Sequence, residues 1–186
     1  TFESKPTMAS PTLLRPVNPD DLDAVNAVIE RAVMTWKLPE RVKRLAMSTY
    51  LYNAHDLEHQ HLVLAEDRAA AIVGVAAWEP AAARDCPLGR RGLLLHGLYV
   101  EPARQRQGVG AELLAAAAAS AREQGYDGLL VKAQVEAEDF FRRRGLRRLA
   151  VGDAGRDYPH RFWLNLTDTG ASEGAGKELG YCSEHG

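Results

Sequence analysis

Apolar and polar residues follow two rhythms along this chain, and the switches between them mark its elements. Leu13-Leu14-Arg15 reads as a short first strand that Pro16 ends. Leu22, Val25, Val28, Ile29 and Ala32 then recur at helical spacing, which predicts a helix running to about Met34. Its start is marked by Asn18-Pro19-Asp20-Asp21: a capping residue, a proline in the first turn, and acids at the positive end of the helix dipole. Trp36-Lys37-Leu38-Pro39 breaks the pattern. A second helix is expected from Glu40 to about Tyr52, with looser apolar spacing and an extension towards Glu58. His61 to Glu66 and Ala71 to Trp78 are apolar runs of strand length, and Asp67-Arg68-Ala69-Ala70 suits a hairpin connection between them. Glu79 to Arg90 holds Pro80, Pro87 and Gly89 and reads as a loop.

The second half is organised around the stretch from Arg91 to Gly125. Leu93 to Val100 is a buried-strand pattern, and Pro102 to Gln107 is a polar, basic turn. Gly108-Val109-Gly110 opens an Ala-rich helix whose inward stripe is Val109, Leu113, Leu114, Ala117 and Ala121, with Gly125 at its C-terminal cap. Gly128 to Ala133 is a further strand. Glu136 to Arg144 is a helix with Ala137, Phe140 and Phe141 inward, stopped by Gly145. Leu146 to Val151 and His160 to Leu166 read as two closing strands. The order β-α-α-β-β-β-α-β-α-β-β, with three strands in a run before the main helix, implies a mixed α+β domain over residues 13–166. Residues 1–12 read as a flexible polar segment, and residues 167–186 as a Gly-rich tail.

The strand–glycine turn–helix at the centre points to an anion. The first amides of a helix lack internal partners and sit at the positive end of its dipole, so they can hold phosphate oxygens. Glycines at 108 and 110 keep Cβ atoms out of the way. The fingerprint G-x-G-x-x-G is absent, because Gly110 is followed by Ala111-Glu112-Leu113, so dinucleotide binding is not expected. Bulk composition narrows the partners. With 186 residues, 46% of them hydrophobic, and a net charge of -2, the chain is an ordinary globular domain with no electrostatic case for nucleic acid or anionic membranes. No apolar run approaches the roughly 20 residues that cross a bilayer. The sequence shows no charged-then-apolar leader pattern, so a cytoplasmic location is expected. Cys86 and Cys182 read as free thiols. His55 and His59 are four apart but lack a third ligand in a recognised motif, and no metal is expected.

Gln105-Arg106-Gln107-Gly108-Val109-Gly110 resembles the Gln/Arg-x-x-Gly-x-Gly/Ala signature of the GNAT superfamily of acyl-CoA-dependent N-acetyltransferases. Leu98-Tyr99-Val100-Glu101-Pro102 resembles that family's strand-end segment, and Ala137 to Leu146 its A-x-x-F-Y-x-x-x-G-F segment. Leu14-Arg15-Pro16 with Asp20-Asp21-Leu22 is similar to its first strand and helix. The resemblance implies a mostly antiparallel sheet of about seven strands, splayed between the fourth and fifth, with about four helices. It implies acetyl-CoA as acyl donor, its pantetheine arm on the edge of Leu98, Tyr99 and Val100. Its pyrophosphate would lie on the turn formed by Gln105, Arg106, Gln107, Gly108, Val109, Gly110 and Ala111. Arg104 and Arg106 would add positive charge. The acceptor would be a primary amine, a small molecule ahead of a protein, attacking the thioester directly. Many members of the family are dimers, so a homodimer is one assembly the resemblance allows.

The same resemblance assigns polarisation of the thioester carbonyl to the Leu98 backbone amide. A general base is useful because the amine must be neutral to attack, and histidine suits that role. Strand alternation puts His96 on one face with Leu94, Leu98 and Val100, as either the base or a core histidine bonded to the backbone. Glu66 and Glu79, at strand ends, are reserve bases acting through water or simple surface carboxylates. One position departs from the family pattern. Phe141 stands where many members have a tyrosine that protonates the leaving thiolate. The thiolate then leaves unassisted, takes a proton from water, or takes one from Tyr158 or Tyr126. The remaining alternative is an acyl-CoA-binding module with little turnover. Trp36, Glu79 and Tyr158 are the candidate acceptor-side residues.

Overall fold

The computed structural model describes residues 12–167. The expected N-terminal segment and Gly-rich tail therefore lie outside the described residues, apart from Thr12 and Thr167.

Seven strands form one sheet in the order β1-β2-β3-β4-β5-β7-β6. They are β1 (Leu13–Pro16), β2 (His61–Glu66), β3 (Ile72–Pro80), β4 (Gly92–Val100), β5 (Gly128–Lys132), β6 (Arg147–Arg148) and β7 (Arg161–Asn165). Every neighbouring pair is antiparallel except β4 and β5. This is the mixed, mostly antiparallel sheet the sequence predicts. The helices are α1 (Leu22–Met34), α2 (Glu40–Ala46), α3 (Ala54–His59), α4 (Val109–Glu123) and α5 (Glu138–Arg143). The expected second helix is thus two. A short 3-10 turn follows α2, and Asn53 starts α3 by a capping box, its side chain accepting from the His55 and Asp56 amides while Asp56 accepts from the Asn53 amide. β6 shrinks to two residues of the expected six-residue strand.

Helices cover both faces of the sheet. The α1 stripe (Val25, Ile29, Ala32, Val33) packs with Tyr52, Leu62, Leu64, Val75, Ala77 and Tyr99. On the other face, Val109, Leu113, Leu114, Ala117 and Ala121 of α4 pack with Ala76, Trp78, Leu93, Leu95, Leu129 and Val131. Strand alternation requires these two separate cores, since successive residues of β3 and β4 point opposite ways. No helix among the described residues is long and apolar enough to cross a membrane.

The long connection between β6 and β7 is closed by a buried ion pair. Asp157 and Arg161 are 7% and 5% exposed, and their carboxylate and guanidinium meet at 3.0 Å. The Asp153 and Gly152 amides also donate to Asp157, at 3.1 and 2.9 Å. The Asp153 amide first, then that of Gly152 and the two guanidiniums of Arg156 and Arg161, hold this carboxyl down at about 2. An aspartate in the unfolded chain titrates near about 3.9. The ionised group therefore contributes stability in full above about pH 4, and the contribution is lost as pH falls towards 2. Asp157→Asn is expected to remove part of the acid dependence of the melting temperature between about pH 4 and pH 2. Superimposable acid limbs for the two proteins would overturn this assignment.

Candidate active site

β4 and β5 pair only from Gly92 with Gly128 to Leu95 with Val131. Beyond that point the two strands part, and the stretch from His96 to Val100 has a strand neighbour only in β3. A cleft of about 1050 Å³ opens where they separate. Its floor is β4 from Leu95 to Val100, the end of β5 at Val131 and Lys132, and Ala133 and Gln134 just beyond it. The turn before α4, the α1–α2 link and α5 supply its walls.

His96 owes its place to a β-bulge. Ala77 pairs with Gly97 and Trp78 with Leu95, so His96 is the extra residue on β4. The bulge shifts the alternation by one. Leu93 and Leu95 face α4, and so do Leu98 and Val100 beyond the bulge. His96 therefore stays with Leu94 and parts from Leu98 and Val100, contrary to simple alternation. It is exposed and lines the cleft, so the core-histidine alternative does not describe it. Its ring lies 6.2 Å from that of Tyr52, centroid to centroid. The Tyr52 hydroxyl packs against Gly97 and has no hydrogen-bond partner among the described residues. Any Cβ at position 97 would collide with that hydroxyl and with the Tyr99 ring. Burial pushes the Tyr52 hydroxyl well above the ordinary tyrosine range, so it stays protonated.

The turn before α4 is built to present amides. A 3-10 turn at Pro102–Arg104 leads into Arg106 at φ 63° and Gly108 at φ 95°, both left-handed. Gly108 caps α4 without any side-chain hydrogen bond. The amides of Arg106, Gln107, Gly108, Val109 and Gly110 donate to nothing among the described residues. Ala111 lines the cleft, but its amide already donates to the Gly108 carbonyl at 2.9 Å. Gln105 and Arg106 line the cleft. The Gln107 side chain instead bonds the Ala103 carbonyl, and Val109 is buried in the core. Arg104 does not line the cleft. Its guanidinium is paired with Asp67 of the β2–β3 connection, which braces the turn. Arg143 and Arg144, at the end of α5, supply cleft charge that the sequence reading missed. Their signal was the basic run Arg142-Arg143-Arg144.

The α1–α2 link forms the far wall. Trp36 stacks on Tyr99 at 6.4 Å and meets the edge of Tyr50 at 5.2 Å. Lys43 holds this corner, donating from Nζ to the carbonyls of Met34 at 2.6 Å and Trp36 at 3.2 Å. These carbonyls at the end of α1 lack intrahelical donors, and a buried ammonium satisfies them. Thr35, Lys37 and Thr49 complete the wall. Phe141 is 4% exposed, touches the cleft, and stacks on Phe162 at 6.5 Å.

Glu79, Glu66, Tyr158 and Tyr126 also lie off the cleft lining. Glu79 pairs with Leu94 across the sheet and Glu66 is bonded to Arg15 at 2.6 Å. The Tyr158 hydroxyl donates to the Ala133 carbonyl at 3.0 Å, just behind the cleft floor. Tyr126 sits at the opposite end of β5, under the Arg91 guanidinium.

This geometry has clear relatives. The family model for an acetyltransferase (GNAT) domain matches residues 28–154. A GNAT-family acetyltransferase structure from Desulfovibrio desulfuricans is 24% identical, with a TM-score of 0.60, over 83% of this chain and 99% of that one. A GNAT-family acetyltransferase from Brucella melitensis, solved with acetyl-CoA, is 19% identical, with a TM-score of 0.59, over 90% and 94%. The PaiA N-acetyltransferase of Thermoplasma acidophilum, solved with coenzyme A, is 14% identical, with a TM-score of 0.63, over 82% and 96%. No curated protein matches the chain. The structures share the fold, and the family model spans well over half of the sequence: the chain belongs to the GNAT family of acetyltransferases.

Proposed function

We propose that residues 13–166 form one domain that transfers the acetyl group of acetyl-CoA to the primary amine of a small molecule. One observation carries this reading: a single cleft joins a turn whose Arg106, Gly108 and Gly110 amides donate to nothing among the described residues, a strand edge without a strand partner, and an exposed histidine. The amides from Arg106 to Gly110 suit a pyrophosphate, and Gly108 leaves room for it. Arg106, Arg143 and Arg144 add charge of the right sign. The edge at Leu98, Tyr99 and Val100 can pair with the amide groups of a pantetheine arm, as a sheet edge pairs with an added strand. Bound there, acetyl-CoA supplies an activated thioester.

The chain's own groups then act on a direct attack. The amine nitrogen bonds to the thioester carbonyl carbon, and the carbon–sulfur bond breaks. The Leu98 amide donates to the carbonyl oxygen as charge gathers on it. His96 takes the proton released from the amine. Phe141 offers no proton to the departing thiolate. Tyr158 keeps its hydroxyl on the Ala133 carbonyl, and Tyr126 is at the wrong end of β5. The thiolate therefore leaves towards solvent and is protonated there.

The acceptor wall supports a small amine over a basic peptide. Thr35, Trp36, Lys37, Thr49, Tyr50 and His96 form it, without a carboxylate. The carboxylates of the cleft lining, Glu136 and Asp139, stand on the other side. A lysine-rich tail would meet Lys37 and no counter-charge, whereas an aromatic wall accommodates a compact, partly apolar amine.

Thiol release from acetyl-CoA, measured across a panel of amines, tests the reading. Turnover is expected with small monoamines and little with lysine-rich peptides. Tight acetyl-CoA binding with no release for any amine would sink it in favour of a binding module. His96→Ala is expected to lower kcat by about 10²- to 10⁴-fold, the usual range for a lost general base. It should also erase the acid limb of the pH–rate profile while leaving acetyl-CoA affinity nearly unchanged. An unaltered profile removes His96 from the mechanism. Gly108→Asp is expected to abolish CoA binding in a calorimetric titration, since a left-handed glycine is replaced by a side chain with the phosphate's own charge. Binding at the wild-type level would take the pyrophosphate off this turn.

A further inference from the structure

Outside the cleft, one cluster of ligating side chains among the described residues has no role in acetyl transfer. His55, Glu58 and His59 project from α3, all exposed, with one ligand atom of each within 4.8 Å of the others. The sequence reading found the histidine pair and no third ligand. Helical geometry supplies it, because residues three and four apart share a face. Glu58 neighbours His59 in sequence and lies three residues from His55, so one turn of helix offers two imidazoles and a carboxylate.

We infer that this turn is a divalent transition-metal site of the zinc type, with His55, Glu58 and His59 as its ligands. Several features besides proximity argue for it. The two imidazole rings are 4.0 Å apart, centroid to centroid, close enough for a shared cation to bridge them. His59 Nδ1 lies 2.8 Å from the His55 carbonyl, which can only accept, so Nδ1 carries the proton and Nε2 keeps its lone pair. A hydrogen bond of this kind from a ligand histidine to a backbone carbonyl is the usual support that orients an imidazole on a metal. The helix that carries the ligands is fixed at its start by the reciprocal Asn53–Asp56 cap, so Asp56 is engaged and Glu58 is left. Neutral imidazoles with one carboxylate suit Zn²⁺, with Ni²⁺ and Cu²⁺ as competitors, and do not suit Mg²⁺ or Ca²⁺, which take oxygen donors. Three protein ligands on an exposed turn leave the fourth tetrahedral position to water. The ligand atoms need only close from within 4.8 Å to the roughly 3.3 Å that tetrahedral ligands at about 2.0 Å from zinc require.

The site does not depend on the acetyltransferase reading, since none of its ligands lines the cleft. Its test is calorimetric titration of the full chain, freed of metal by chelator, with Zn²⁺ alone, and a parallel thermal melt. One zinc per chain is expected at this site, with a rise in melting temperature that EDTA reverses. His55→Ala and His59→Ala should each weaken that binding at least tenfold and remove the thermal shift, and Glu58→Gln should weaken it less. All three side chains are exposed, so the metal-free variants should melt as the wild type does. Mg²⁺ at the same concentration should give neither heat nor shift. Absence of zinc binding by the wild type, or undiminished affinity in the His55→Ala/His59→Ala double variant, overturns the inference.

Discussion

The candidate active site depends on the parting of β4 and β5. A parallel pair held by hydrogen bonds to its end would bury its backbone and leave no cleft. Here the ladder stops at Leu95 and Val131, and the next five residues of β4 have no strand on that side of an otherwise continuous sheet, where only the Gln105 side chain reaches the Val100 carbonyl among the described residues. Unpaired backbone groups at that depth are costly unless something comes to pair with them. The separation is held open by what packs on each face: α4 against Leu98 and Val100, and Tyr52 with Tyr99 on the other side.

Much of this was legible in the sequence because it rests on local signals. The apolar runs of β2, β3, β4 and β5, the stripe of α4 and the glycines of the turn each follow from periodicity or backbone conformation. The order of the elements, with its family resemblance, gave the sheet and its splay. What stayed hidden needed contacts distant in sequence. Alternation assigned His96 to the face of Leu98, and only the pairing of Ala77 with Gly97 and Trp78 with Leu95 reveals the bulge. The split of the second helix could have been foreseen from Asn53 and Asp56, which spell a capping box. The loss of Arg104 to Asp67 could not, since 37 residues separate them.

The two walls of the cleft are made by different means. The wall at the turn is backbone, fixed by left-handed residues and a helix start. The opposite wall is side chains, and its shape hangs on one buried ammonium. Lys43 ties Met34 and Trp36 together, so the aromatic corner is positioned by the way α1 ends rather than by the tight packing that orders α4. A wall of that kind can change its contour with few substitutions, while the turn cannot.

The pairing of Arg104 with Asp67 carries this difference further. The Arg104 guanidinium beside the turn is already neutralised within the chain, so what the turn itself presents to the cleft is its peptide groups and the Arg106 side chain. Peptide groups are the same whatever side chains they bear. The backbone path, with Arg106 and Gly108 left-handed, is therefore under tighter constraint than any one side chain of the turn. Bracing of that kind also means that little order remains to be gained on binding, so affinity is not eroded by freezing a loose loop.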